Sequence, residues 1–313
     1  MTNDISVLDA ILATTEARHS YDSMADWFKN FNLKTRQFES SVDRAILGGR
    51  LSQNLSFAFA SGYQSAVESL FSNNEPDYLL SSLCVSEDKG NRPRHMETTL
   101  VETDGLKVLN GSKKFVSGAS DSQLMYVACK VGSDQDGRAI LKVVSLASDT
   151  PGVTITPLPT LPFIPGVSHG KVSFDQVEIS QVQVLSGDGY AKYIRPFRTY
   201  EDLHVLAAVL GFRIGQAIDS SWGEEAVQAH LSLVLSLQAL NQCSLTSATS
   251  HIGLASCRDE LNRLIDMYDA KFEANDVSGF EAWKRDRMIL NVAKGAHEKR
   301  TSSAWDQIVT YKP

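Results

Sequence analysis

The sequence predicts an α+β fold with a helical N-terminal region, a central β-barrel or sandwich domain, and a C-terminal helical bundle. Apolar residues recur at helical spacing up to about residue 80, β-prone runs separated by turn dipeptides fill about 81–187, and helical spacing returns from about 188. Because helices and strands come in blocks instead of alternating, the order argues against a doubly wound nucleotide-binding sheet. We therefore expect three domains, over residues 1–80, 81–187 and 188–313.

Composition narrows the class of protein. The 313 residues, 42% of them hydrophobic and 21% charged, are ordinary for a globular chain that buries a large core. A net charge of -7, without Lys/Arg blocks, predicts no nucleic-acid partner. No apolar run approaches the roughly 18 residues of a membrane span. The first twenty residues lack a basic leader region, and the four cysteines lack metal or redox spacing, so we expect a cytoplasmic protein with free thiols.

The N-terminal region carries a helical stripe. Its apolar members lie four residues apart, at Leu47, Leu51, Leu55, Phe59, Tyr63 and Val67. The pair Gly48-Gly49 is a candidate break between two helices. Pro76, with its Asn and Asp neighbours, predicts a turn over 72–78 that ends this region.

The central region reads as short strands joined by turns. Asp104-Gly105, Asn110-Gly111 and Asp136-Gly137 each lie between β-prone runs and predict hairpin turns. Apolar and polar residues alternate around Phe174, as in a half-buried strand. The proline-rich stretch 150–166 is interpreted as an irregular connection.

The C-terminal region begins with a strongly apolar helix. Its stripe contains Leu203, Leu206, Leu210 and Ile214. Thr199 is a candidate N-cap, with Asp202 three residues later as a weak capping box. In that position Glu201 would lie in the first turn and complement the helix dipole. Two or three further helices follow.

Two short motifs point to other chemistries. Residues 166–170, "GVSHG", match the serine-hydrolase pattern, but that pattern needs a strand–turn–helix elbow, and here a proline-rich loop precedes a strand. A glycine-containing loop that enters a strand therefore explains these residues better than a Ser168 nucleophile does. Glu201 and His204 form an E-x-x-H pair, which builds di-iron sites only when a second copy is present, and the sequence has none. We expect no metal site.

Four segments, in the family's own order, resemble the acyl-CoA dehydrogenase family, and they cover most of residues 81–218. They are "LCVSEDKGN", "LNGSKKFVSGASDSQLMYVACK", "GKVSFDQVEISQVQVLSGDG" and "LAAVLGFRIGQAI". In that family a helical domain, a β-domain and a four-helix bundle bind FAD and oxidise an acyl-CoA thioester. The resemblance therefore implies an FAD cofactor, an acyl-CoA or related thioester substrate, and a homodimer or homotetramer.

The resemblance also implies site residues. Phe115 and Ser117 correspond to the aromatic and the hydroxyl that pack beside the flavin ring and hydrogen-bond it. Ser86 corresponds to the hydroxyl of the family's T-E-P loop. The full cofactor-binding set that the resemblance implies is Leu83, Val85, Ser86, Gly90, Asn91, Phe115 and Ser117.

Glu201 falls on one of the two positions at which the family carries its catalytic base. There it would remove the α-proton of the thioester while a hydride passes to the flavin. A useful base needs a pKa raised by burial, whereas a helix N-terminus lowers the pKa of a carboxylate. The resemblance therefore implies that an apolar cavity surrounds Glu201.

Several departures from the family keep two alternatives open. Asp88 replaces the proline of the T-E-P loop, and Asp202 replaces the arginine that usually follows the base. The C-terminal motifs R-x-x-F-G and Q-x-x-G-G-x-G, which hold the phosphate half of FAD across the dimer, are not found. One alternative is a degenerate member that serves as a binding or scaffold subunit. The other is a flavin-dependent monooxygenase on the same fold.

Overall fold

The computed structural model describes residues 6–14, 18, 21–71 and 79–308. Over these residues helices occupy both ends of the chain and a sheet lies between them, so the predicted fold class is confirmed. The turn predicted over 72–78 lies outside the described residues. Within the described ranges no helix combines the length and apolarity that crossing a membrane requires. All four cysteines are free.

Four helices form the described N-terminal region: α1 (Val7–Ala13), α2 (Met24–Thr35), α3 (Ser41–Leu51) and α4 (Leu55–Phe71). Each of the first three begins at a serine. The hydroxyls of Ser6, Ser23 and Ser40 accept the N–H of the aspartate three residues later, which satisfies a free donor of the first turn. Their apolar faces pack into one core with the C-terminal helices.

The glycine pair 48–49 does not break the helix as predicted. Both glycines lie inside α3, and the break between α3 and α4 falls at residues 52–54. The reason is contact with α5 (Arg195–Asp219), the first long helix after the sheet. A Cβ on Gly49 would lie 1.9 Å from the Ala208 carbonyl oxygen, and one on Gly211 would lie 2.0 Å from that of Ile46. The glycines let the two helices touch backbone to backbone.

The central region forms one seven-stranded sheet. Its strands are β1 (Ser81–Cys84), β2 (Thr99–Thr103), β3 (Leu106–Ser117), β4 (Leu124–Ser133), β5 (Ala139–Ala147), β6 (Val153–Pro157) and β7 (His169–Ile179). The order is β1-β4-β2-β3-β7-β6, and β5 pairs with β4. β1 runs parallel to β4, while the long pair of β3 and β7 is antiparallel. A second core, with Leu109, Val127 and Phe174 among its members, belongs to the sheet alone.

Two of the three predicted hairpin turns are confirmed. Gly105 and Gly137 have φ of 80° and 76° and join β2 to β3 and β4 to β5. The turn predicted at Asn110-Gly111 is wrong, because β3 continues through it with a register shift against β7. A Cβ on Gly111 would lie 2.6 Å from the Thr98 Cα, so this glycine serves a β-bulge. The proline-rich stretch also contributes β6 instead of being wholly irregular.

A π-helical turn (Tyr190–Ile194) leads directly into α5, and in the described part of the chain four more α-helices and a short 3-10 helix (Arg287–Asn291) follow it. The α-helices are α6 (Glu224–Asn241), α7 (Ala248–Asn275), α8 (Val277–Asp286) and α9 (Lys294–Gln307). The predicted N-cap at Thr199 is wrong, because α5 already begins at Arg195 with Pro196 in its first turn. Thr199 is buried inside the helix, and its hydroxyl lies 3.4 Å from the His251 ring.

Helix α5 forms the centre of the helical core. Residues 202–217 of this helix are buried on every side, against α3 and α4 on one flank and α6 and α7 on the other. Arg213 is fully buried there and donates to Asp269 Oδ1 at 2.8 Å. Its guanidinium lies over the rings of Trp222 and Trp283, at 4.6 and 5.0 Å from their centroids. This charged contact fastens α7 to α5.

Candidate functional site

A cavity of about 360 Å³ lies where the sheet meets the helices. Its walls come from α4, from β1 and the loop after it, from the end of β3, from α5 and α7, and from residues 289–297. The apolar part is lined by Phe59, Leu83, Val116, Leu206, Leu261 and Leu290. An apolar cavity with a few polar groups at one side is the usual form of a small-molecule site.

The structure brings most of the predicted site residues to this one cavity. Leu83, Val85, Ser86, Asn91, Phe115, Ser117 and Glu201 all line it. Gly90 does not, although it is the neighbour of Asn91; it is exposed, with φ of 106°. These residues come from β1 and the loop after it, from β3 and from α5, so only the tertiary fold places them together.

Phe115 owes its position to a second bulge in β3. The pairing with β7 shifts register between Lys113 and Val116, and Phe115 adopts φ of 57°, a conformation that non-glycine residues rarely take. Phe115 is 58% exposed although its side chain is large and apolar. The strand accepts local strain that presents a flat aromatic surface at the cavity, which is a common feature of ligand sites.

Two ion pairs hold the Ser86 loop on β3. The Lys113 ammonium is fully buried and donates to Glu87 Oε1 at 2.7 Å, while Lys114 pairs with Asp88 at 2.8 Å. The Lys114 N–H also donates to the Ser86 carbonyl at 2.8 Å. In the described residues the Ser86 hydroxyl has no hydrogen-bond partner. It is therefore fixed in place and free to bind a ligand.

Ser117 is polarised by His169, which the sequence analysis did not single out. The His169 Nδ1 lies 3.0 Å from the Val167 carbonyl, which can only accept, so Nδ1 carries the proton. Burial lowers the pKa of His169, so the ring is neutral and its Nε2 accepts from the Ser117 hydroxyl at 3.3 Å. The lone pairs of Ser117 therefore remain for a ligand, and the hydroxyl acts as an acceptor toward it.

Glu201 has a carboxyl whose pKa is shifted by its surroundings. Burial raises its pKa from 4.5 to about 7, and the Arg198 guanidinium, 3.7 Å away, only partly opposes this shift. It lies in the second turn of α5, so the helix N-terminus lies farther away than the sequence implied. A pKa near neutrality lets a carboxylate both take and release a proton at physiological pH.

A polar network stands directly behind Glu201. Asp202 is buried, its Oδ1 accepts from His297 Nε2 at 2.7 Å, and its Oδ2 pairs with Arg300 and, at 3.5 Å, with Arg258. Burial acts to raise the pKa of Asp202, but these partners hold it below its ordinary value. Asp202 is thus ionised, and it joins α5 to α7 and α9.

The structure does not favour the two other motifs, the serine-hydrolase pattern and the E-x-x-H pair. Ser168 donates to Asp121 at 2.9 Å, and the loop that contains it runs into β7 with no helix after it. His204 lies 2.8 Å from the Ser41 hydroxyl and 2.7 Å from the Tyr200 carbonyl, and burial lowers its pKa to about 4. It is a core histidine that does not line the cavity beside Glu201.

The cavity fits the ring half of a flavin better than its phosphate half. Phe115, Leu83 and Val85 supply apolar walls, and Ser86 and Ser117 supply hydroxyls at the same wall. For a pyrophosphate, Asn91 and the basic segment 89–95 are the nearby polar groups, and both are largely exposed. The residues present therefore accommodate an isoalloxazine and leave the phosphates near the surface.

The central region of the chain matches a known protein family in sequence. Residues 82–177 match the family model of the acyl-CoA dehydrogenase middle domain. The probable acyl-CoA dehydrogenase YngJ of Bacillus subtilis (strain 168) is 25% identical over 126 residues, which are 40% of this chain and 33% of that protein. The matched part thus spans about a third of the length of this curated relative.

Solved structures extend the likeness to almost the whole chain. Butyryl-CoA dehydrogenase from Megasphaera elsdenii aligns with a TM-score of 0.67 at 13% identity, covering 97% of this chain and 94% of that one. The FAD complex of PigA aligns with a TM-score of 0.66 at 12% identity, with the same coverage. Such low identities show the fold alone. The described residues therefore have the fold of these acyl-CoA dehydrogenase structures, and the matched residues 82–177 form most of the central sheet.

Proposed function

We propose that this protein is a flavin-dependent dehydrogenase that oxidises the α,β-bond of an acyl thioester, with FAD as cofactor and Glu201 as the base. The observation that carries the proposal is the convergence of Phe115, Ser117 and Glu201 on one cavity, where burial raises the pKa of Glu201 to about 7. A tuned carboxylate facing a flat apolar wall suits proton abstraction beside a planar cofactor.

In this proposal the apolar lining residues bind the substrate and Glu201 takes up the proton. The cavity would take the acyl chain between Phe59, Tyr63 and Leu261 and exclude water from the carboxylate. Glu201 would accept the α-proton of the thioester at its carboxylate, and the Arg198 guanidinium would stay within reach of the ionised form. When bound, the flavin would supply the oxidant for this two-electron reaction.

Flavin content tests the proposal directly. We expect freshly purified protein to be yellow, or to become so on incubation with FAD, because the Phe115 wall and the hydroxyls of Ser86 and Ser117 suit an isoalloxazine. The measurement is a visible absorbance spectrum, followed by denaturation and identification of the released cofactor.

The alternative of a degenerate member that serves as a binding or scaffold subunit predicts that no flavin binds. A preparation that stays colourless and shows no change in flavin fluorescence on titration with FAD would contradict the proposed function. Phe115→Ala is the matched variant, since it removes the aromatic wall at an exposed position and should weaken flavin binding without unfolding the sheet. A yellow protein that consumes oxygen only with reduced flavin would instead support the monooxygenase.

The rate should depend on pH through Glu201. Only the ionised carboxylate accepts a proton, and its pKa is raised to about 7, so flavin reduction by substrate should rise with pH through neutrality and then level off. Stopped-flow bleaching of the flavin band from about pH 5.5 to about pH 8.5 measures this limb. A rate independent of pH over that interval would remove Glu201 from proton abstraction.

A further inference from the structure

The side of the cavity behind Glu201 carries more positive than negative charge. Arg198 and Arg258 line the cavity, and Arg300 lies against Asp202 just outside the lining. Asp202 is the ionised acid at this side, and Glu201, with its raised pKa, is the other carboxyl. Three guanidinium groups therefore face one fixed carboxylate and one that is half-ionised near neutrality.

Arg258 is the cation of this group that has donors to spare. Its side chain is only 17% exposed, and its one ion pair, to Asp202 Oδ2, is long at 3.5 Å. Asp202 is already bound by His297 and Arg300 at closer range. Within the described part of the chain the Arg258 guanidinium donates no hydrogen bond, yet none of its nitrogens is sealed off from the surface.

A guanidinium in a cavity wall with unused donors is a favourable partner for a bound anion, because hydrogen bonds between two charged groups are strong. Burial and the neighbouring Arg300 lower the pKa of Arg258, and the carboxylates of Asp202 and Asp259 only partly oppose this effect. The neighbouring lining residues Leu261, Ile289 and Val292 are apolar, and the other carboxyl of the cavity, Glu201, has its ion pair with Arg198. The missing partner is therefore expected on the ligand.

We propose that the acyl group bound in this cavity ends in a carboxylate and that Arg258 binds it, so that the substrate is the thioester of a dicarboxylic acid. This inference rests on the proposed function for the thioester and goes beyond it in naming the acyl class. The apolar lining would hold the methylenes between the two ends, and the Asp202 contact would keep the Arg258 guanidinium at the cavity wall.

Binding of two matched probes tests the inference without requiring turnover. Glutaryl-pantetheine and pentanoyl-pantetheine have the same chain length, differ in the terminal carboxylate, and carry no phosphate. With wild-type protein loaded with FAD, calorimetry should show glutaryl-pantetheine binding at least about tenfold more tightly. Arg258→Met should abolish that preference and leave pentanoyl-pantetheine binding within about twofold, whereas Arg258→Lys should retain part of it.

Further measurements distinguish this inference from the proposed function, and a carboxylate on the acyl group from a phosphate of CoA. Arg263→Met, on the exposed face of the same helix, should keep the full preference. Equal binding of the two probes by wild type, binding of neither, or a preference that survives Arg258→Met would overturn the inference. A loss of free CoA binding in Arg258→Met as large as the loss of glutaryl-pantetheine binding would also overturn it, because Arg258 would then serve a CoA phosphate. Dehydrogenation of pentanoyl-pantetheine without any binding preference would contradict this inference and leave the proposed function intact. A binding preference that depends on Arg258, without turnover of either probe, would support the binding of a carboxylate and contradict the proposed function.

Discussion

Replacing Glu201 by Gln is expected to reduce dehydrogenation by about 10²–10⁴-fold, the usual contribution of a general base. Gln keeps the shape and polarity of the side chain but cannot take up a proton. The colour of the protein should persist, since the flavin wall is built from residues of the sheet and not from α5. Single-turnover reduction of the flavin by substrate measures the loss apart from product release.

Glu225→Gln is the matched control, because it makes the same change at an exposed position in the first turn of α6. Glu201→Gln should fold at least as well as wild type at alkaline pH. The pKa of Glu201 is raised in the folded state, so wild type loses stability as pH rises from the unfolded pKa through about 7, and the amide does not. Turnover of the Gln variant within a few-fold of wild type would assign the proton to another group.

Replacing Asp269 by Ala is expected to destabilise the protein by about 3–5 kcal/mol. The change leaves the Arg213 guanidinium buried without its ionic partner, and Arg213 Nε and Nη2 already have no hydrogen-bond partner in the described residues. Asp269 Oδ2 also accepts from the Trp283 indole at 3.1 Å and from Arg287 at 2.6 Å. Urea unfolding followed by circular dichroism measures the change in the free energy of unfolding.

Asp266→Ala, one turn earlier on the exposed face of α7, is the control and should stay within about 0.5 kcal/mol of wild type. The double variant Arg213→Met with Asp269→Leu removes both charges and should recover much of the loss, because well-packed apolar residues often replace a buried ion pair without penalty. An Asp269→Ala protein as stable as the Asp266→Ala control would mean that Arg213 is satisfied by the aromatic rings alone.

Local sequence signals predicted those parts of the fold that depend only on residues close together in the chain. Gly105 and Gly137 sit in turns that their own positive φ makes possible, and the blocks of helical and alternating spacing gave the order of the regions. Gly111 carries the same local signal as these two, yet its role is set by Thr98 on the neighbouring strand. Gly49 likewise looked like a helix break because its true partner, Ala208, is far away in the sequence.

The site was predictable only in the parts that carry a recognisable local pattern. Phe115, Ser117 and Ser86 came from the resemblance to a family, and the structure places them around one cavity. Arg258 lies inside a long amphipathic helix, where nothing distinguishes it from a solvent-facing arginine until α7 packs against α5. His169 follows a serine that drew attention as a possible nucleophile, and its role depends on β3 lying beside it.

The glycine-mediated contact of α3 with α5 has a consequence for how the pocket can change. Where two main chains touch, there is no side chain to trim or enlarge, so the segment that bears Glu201 is locked to the N-terminal helices. Phe59 and Tyr63, which α4 contributes to the cavity lining, are side chains that can vary in bulk. Substitution of these side chains can therefore change the volume of the cavity, whereas the position of Glu201 on α5 is fixed by the contact between the two main chains.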